Sequence, residues 1–241
     1  MRISRRVLMR NAVLGAVLHG MPSLVLPRAY GAVPADPRAV TWGTTGPIDL
    51  SLSQYDGPTT ITQDGAVLEG FEFRSQINVE ANNVTFRNCR WRTSTRYHVS
   101  QDAFDFRFSG LVIENCHFEG ATSASVLAAR EVRIVNSGFR DNDADHVKTF
   151  LRNSSTMLVE GCYFGGMSYA GSSAHADAFQ CRNSNGTTMI VRRSAFDLAV
   201  DPSDPVPAGG FQSQQGGQVY KPSLPLFFEK DNGTNYDILV E

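Results

Sequence analysis

Six segments of the chain repeat one arrangement of apolar and polar positions: AVLEGFEF (66–73), VTFRNCRW (84–91), LVIENCHF (111–118), VRIVNSGF (132–139), MLVEGCYF (157–164) and MIVRRSAF (189–196). Successive copies start 18, 27, 21, 25 and 32 residues apart. Apolar or small residues hold positions 1 and 3, then 6 and 8, so the alternation slips by one residue between the two halves. A strand of period two cannot change phase without a bend. The residue at the slip is Gly70, Asn88, Asn115, Asn136, Gly161 or Arg193. Gly and Asn tolerate a left-handed backbone best, so the pattern predicts two short strands joined by a one-residue bend. Stacking the copies would align Asn88, Asn115 and Asn136 in a ladder. It would also align Phe73, Trp91, Phe118, Phe139, Phe164 and Phe196 in an interior column.

A third short strand is expected before each pair, at INV (77–79), FDF (104–106), SVL (125–127), VKT (147–149) and FQC (179–181). Three constant strands and loops of varying length, repeated, describe a parallel β-helix whose rungs lie about 4.8 Å apart. Antiparallel sandwiches and propellers would need hairpin turns between the strands, and Asn-Gly occurs only at 185–186 and 232–233. The fold class predicted is all-β, a solenoid of three-strand rungs.

On the three-strand rung, the Asn bend and the aromatic column, roughly residues 60–241 resemble the right-handed, pectate-lyase-like β-helix superfamily. That scaffold carries both enzymes and adhesins, so the resemblance speaks for fold before function. In the superfamily the strand preceding each pair, and the long loop before it, line a polysaccharide cleft. Aspartates there hold calcium, and a basic side chain removes the proton next to a uronate carboxylate. The resemblance therefore implies Ca2+ as cofactor and an acidic polysaccharide as partner.

The rung alignment brings two similar segments, DNDADHVKTF (141–150) and SSAHADAFQC (172–181), onto one face. Asp145 stacks on Asp177, Asp143 on His175 and Lys148 on Gln180. One rung earlier, Asp105 is aligned with Lys148, and Arg107 with Arg182. Three carboxylates within two rungs repel unless something neutralises them. Asp143, Asp145 and Asp177 are therefore the candidate metal ligands, an all-oxygen set that suits calcium; adding His146 or His175 would admit zinc or manganese. The same aspartates could instead cap the loop ends by accepting backbone N–H groups. Lys148 is the first candidate base, with His175 as rival and Arg182 beside it. Asp105, Arg107, His146, Gln180 and Tyr169 are candidate substrate contacts, with Tyr97 and His98 in the neighbouring loop. The reaction expected is metal-assisted β-elimination; a glycoside hydrolase, a C5-epimerase and a non-catalytic glycan-binding β-helix are the alternatives.

The N-terminus changes the setting. Residues 1–31 combine a basic start, an apolar stretch near 12–26 and small residues at Ala29-Tyr30-Gly31, and SRRVLMR resembles a twin-arginine signal. A bacterial periplasmic or secreted protein is expected, with no membrane association once the signal is removed. Removing 1–31 takes away five arginines, leaving 17 basic against 24 acidic residues and a net charge of −7. That argues against a nucleic-acid partner. Residues 32–60, with Trp42 and Leu50, are expected to cap the start of a β-helix spanning 61–241. At the other end LFFEKDNGTNYDILVE begins a further rung and stops before its bend, which reads as a fragment or as an open edge covered in an oligomer. The loop 197–225 is expected to overhang the cleft. Cys89, Cys116, Cys162 and Cys181 all fall on inward positions and read as buried free thiols.

Overall fold

The computed structural model describes residues 36–48, 50–101, 107–120, 122, 124–142, 144–150, 156–165, 177–182, 187–197, 226–228 and 236–240. They form a right-handed parallel β-helix of three sheets, each of seven parallel strands. Sheet I runs from Ser53–Gln54 through Phe71–Phe73, Arg90–Arg92, His117–Glu119, Gly138–Arg140 and Tyr163–Gly165 to Ala195–Asp197. Sheet II runs from Thr60–Ile61 through Ile77–Val79, Val99–Ser100, Ser125–Ala129, Asp145–Phe150 and Phe179–Arg182 to Leu226–Phe228. Sheet III runs from Val67–Glu69 through Thr85–Arg87, Leu111–Glu114, Val132–Val135, Thr156–Glu160 and Thr187–Arg192 to Tyr236–Val240. Every rung visits sheets III, I and II in that order. Among the described residues no helix is long and apolar enough to cross a membrane.

The bend between sheets III and I is where the alternation slips. Asn88, Asn115 and Asn136 have φ of 54°, 52° and 47°, and Gly70 and Gly161 have 77° and 62°. Arg193 takes the same turn at 50°. Their amides form a ladder: Asn115 Nδ2 donates to Asn88 Oδ1 (2.6 Å), Asn136 Nδ2 to Asn115 Oδ1 (2.8 Å), and Asn88 Nδ2 to Glu69 Oε1 (3.0 Å). Asn115 is the middle rung, donating to one neighbour and accepting from the other. Asn115→Ala is expected to lose both bonds and to strain a left-handed backbone, destabilising by about 2–4 kcal/mol. Asn115→Gly keeps the backbone and loses only the bonds, so it should cost less. Urea denaturation of the two variants checks the order, and equal losses would contradict it.

Inside, five successive ring pairs stack from Phe73 to Phe196 at centroid distances of 4.4, 4.6, 4.8, 4.9 and 5.2 Å, with planes tilted by 11–16°. The ring spacing follows the rung spacing, so backbone pairing and side-chain packing reinforce one another. The four cysteines are free and buried. Burial pushes the Cys162 and Cys181 thiols up to about 12 and about 11, which leaves them inert as nucleophiles.

Two sequence expectations are corrected. Val99–Ser100, paired with Leu127 and Ala128, forms the third strand of sheet II, and FDF at 104–106 lies outside the described residues. The register position in line with Lys148 thus falls to Ser100. The alignments of Asp105 with Lys148 and of Arg107 with Arg182 go with it. The second correction concerns the N-terminal segment. Residues 53–61 already supply strands of the first rung, and Trp42 lies on the outer flank of sheet I, stacked on His117 at 3.7 Å. The segment 36–48 straps the side of the solenoid, with Gly46 N–H donating to the Asn136 carbonyl (2.9 Å).

Candidate functional site

Sheet II presents its even positions outward. Val147 and Thr149 are buried inside, as are Phe179 and Cys181 in the next rung, so Lys148 and Gln180 point away from the core. Asn78, Ser100, Ala128, Lys148 and Gln180 follow one another in register across five rungs. This outward row is small and polar until it reaches Lys148.

Asp145 and Asp177 stand three residues before Lys148 and Gln180 and share a register position. Both are almost fully buried, at 4% and 1% exposed. Asp145 Oδ1 accepts the backbone N–H of Asp177 (3.1 Å), and Asp145 Oδ2 lies 3.6 Å from Lys148 Nζ. The backbone ladder continues directly, His146 N–H donating to the Asp177 carbonyl (2.9 Å). Asp145 therefore does cap the entry of the neighbouring loop into its strand, and it also pairs with Lys148. Lys148 and Asp145 thus form a close charge pair on this face.

Gln180 is buried, and its Oε1 has no hydrogen-bond partner. A buried amide oxygen without a donor is costly, and it sits next to Lys148 in the register.

His146 does not belong to this face. It is fully buried, with its ring 5.8 Å from Phe139 and 6.0 Å from Phe164, in an inward column between Val126 and Ala178. The corner before the strand turns two nearby positions inward, so strict alternation misplaces it. Burial holds its imidazole down to about 3, and neither ring nitrogen has a hydrogen-bond partner. His98, in the same column two rungs away, is also buried; its Nε2 lies 3.0 Å from the Thr93 carbonyl, and burial lowers it to about 4. Tyr97 is likewise buried. None of the three is exposed to a polysaccharide as sequence reading expected.

Arg107 is exposed, its guanidinium 5.5 Å from the Phe108 ring. Arg182 stands opposite Phe150 in the sheet II ladder. Asp105, Asp143, Tyr169 and His175, the loop 198–225 and the signal segment lie outside the described residues, as does the side chain of Arg182. Among the described residues no three His, Cys, Asp or Glu side chains converge as metal ligands do. Of the three expected calcium ligands, Asp145 and Asp177 share a register position, and Asp143 lies outside the described residues.

Sequence reasoning missed a polar cavity of about 280 Å³ on the flank of sheet I, under the strap. Its arginines occupy outward positions of the repeat and could have been read as a patch. Trp42, which covers them, lies before the first copy and carries no register. No family model, curated protein or solved structure matches the chain.

Proposed function

We propose that this chain is an exported carbohydrate-active protein of the pectate-lyase-like type, cleaving a uronate-containing polysaccharide by β-elimination on the outer face of sheet II. The observation that supports it is the Lys148–Asp145 pair, with Lys148 half-buried on the outer face of sheet II and Asp145 buried beside it. The twin-arginine-like start and the mature charge of −7 agree with an exported protein that meets its acidic substrate through a local cation.

In the elimination a base takes the proton at C5, next to the uronate carboxylate. The electron pair forms the C4–C5 double bond as the C4–O bond breaks, and the leaving oxygen takes a proton. Lys148 supplies that last proton, since its pairing with Asp145 delivers it charged. Of the bases named from sequence, His175 keeps that role, with Asp177 on the same segment. These steps are written for the chain's own side chains, with no role assigned to calcium; Asp143, one of its expected ligands, lies outside the described residues.

Lys148→Arg is the discriminating variant. It retains the charge and the ion pair, yet a guanidinium does not surrender a proton at neutral pH. We expect kcat to fall by about 10²–10⁴-fold with the melting temperature and the KM nearly unchanged. Activity within threefold of the parent would remove Lys148 from the chemistry. Lys148→Ala is less informative, since an unpaired buried Asp145 costs about 3–5 kcal/mol of stability by itself.

A further inference from the structure

The strap over sheet I builds a second site. Trp42 stacks on the His117 imidazole, 3.7 Å away with planes tilted by 13°, and the Arg140 guanidinium lies 4.1 Å from the Trp42 ring centroid. The fit depends on two glycines. A Cβ at Gly138 would press on Thr45, His117 and Trp42, and one at Gly46, where φ is 73°, would run into the His117 ring. The strap is thus docked on this flank by shape, with the Thr45 hydroxyl bonded back to the Trp42 and Thr41 carbonyls.

Beside that stack the cavity of about 280 Å³ opens between Trp42, Ile48 and the outer face of sheet I. Arg90, Arg92, Arg140, His117 and Glu119 line the sheet side. Glu119 is paired with Arg140 and, at 3.1 Å, with Arg92; Arg140 also reaches Asp141 at 3.1 Å. Arg90 has no carboxylate within ion-pairing distance among the described residues, and its register neighbour on the next rung is His117. His117 is 3% exposed, with its ring stacked on Trp42. Burial and the two guanidiniums of Arg90 and Arg140 hold it down to about 4, against the opposing pull of the Thr45 backbone and Glu119, so it is neutral at pH 7.

An unpaired guanidinium presents a planar fork that matches a carboxylate in bidentate fashion. Glu119 adds an acceptor, and Ile48 an apolar wall. The volume is at the lower limit of small-molecule pockets, enough for one ring and not for a chain. We infer that this cavity is a binding site for a single carboxylate-bearing sugar unit, held by Arg90 at its carboxylate and by Glu119 at its hydroxyls. It lies on a different sheet from Lys148 and does not depend on the reaction proposed there.

The test is fluorescence titration of the purified chain at pH 7 with galacturonate, galactose and inorganic phosphate. The chain has two tryptophans, and Trp91 is sealed in the core, so a ligand-dependent change reports Trp42. Galacturonate is expected to give a saturable change that galactose does not give. Arg90→Ala should weaken it at least tenfold without moving the melting temperature, because no ion pair is lost. Arg90→Lys should restore part of the affinity. Phosphate binding as tightly as galacturonate would overturn the sugar assignment and leave a simple oxyanion site. Absence of any saturable change, or one that Arg90→Ala leaves intact, would overturn the site itself.

Discussion

Trp91→Ala is expected to be the most damaging single substitution in the described core, at about 3–5 kcal/mol. Trp91 is fully buried, stacked on Phe73 at 4.4 Å and on Phe118 at 4.6 Å, with Phe86 edge-on at 5.2 Å. Truncation removes the largest side chain of the column and leaves a void between two rungs that are fixed by their own backbone ladders. Those ladders prevent the neighbouring rings from closing the gap. In a solenoid each rung contacts only its neighbours, so the loss falls on the rungs carrying Phe73 and Phe118. The loss is a large part of the roughly 5–15 kcal/mol that holds a typical domain. Trp91→Phe keeps a ring in register and removes an indole N–H that has no acceptor, so it should cost well under half as much. Chemical denaturation followed by circular dichroism gives both numbers; a loss below about 1 kcal/mol for Trp91→Ala would contradict the stacked-column account.

The second large effect is on stability towards acid. His98, His117 and His146 are buried and held down to about 4, about 4 and about 3, from an ordinary value near 6.5. Burial is the leading cause for each. Below about pH 6.5 the unfolded chain takes up protons at these sites while the native fold does not, so stability falls as pH falls. The decline runs from about pH 6.5 to about pH 4, and to about pH 3 for His146, and then levels off for these groups. Each unit between unfolded and native values is worth about 1.4 kcal/mol, so the three together cost on the order of several kcal/mol. Acid is therefore expected to unfold the chain well above the range where its carboxylates titrate. His146→Leu, which replaces an imidazole lacking partners with an apolar side chain of similar reach, should raise stability most at pH 5 and shift the acid midpoint downward. An unchanged midpoint would show that the carboxylates govern the transition instead.

The sequence made the fold readable because its two signals are independent. A phase slip at Gly or Asn and an aromatic two residues past a small one need not coincide, yet they do so in four of the six copies, and the structure places all six slips at positive φ and all six aromatics in the column. The weaker strand was different. Sheet II contributes only Val99–Ser100 to its third rung, too short for any periodic signal, while Phe104-Asp105-Phe106 carries the alternating pattern. The Asp145–Asp177 and Lys148–Gln180 registers were legible because VKT and FQC lie at a constant distance from the following copies. His146 was misjudged because alternation fails at a corner, where consecutive positions turn inward. The flank site escaped because Trp42 belongs to no repeat, and only three dimensions bring it over Arg90 and His117.

The most direct test of the proposed function is the ultraviolet absorbance of unsaturated uronate released by the purified mature chain from a panel of acidic polysaccharides, with parallel assays for new reducing ends and with a chelator arm. The account predicts absorbance that rises with reducing ends, persists in chelator, and drops by about 10²-fold or more with Lys148→Arg. Reducing ends without that absorbance would mean hydrolysis in place of elimination, and chelator-abolished absorbance would put a metal back into the steps. No product from any uronate-containing glycan would contradict the proposal outright.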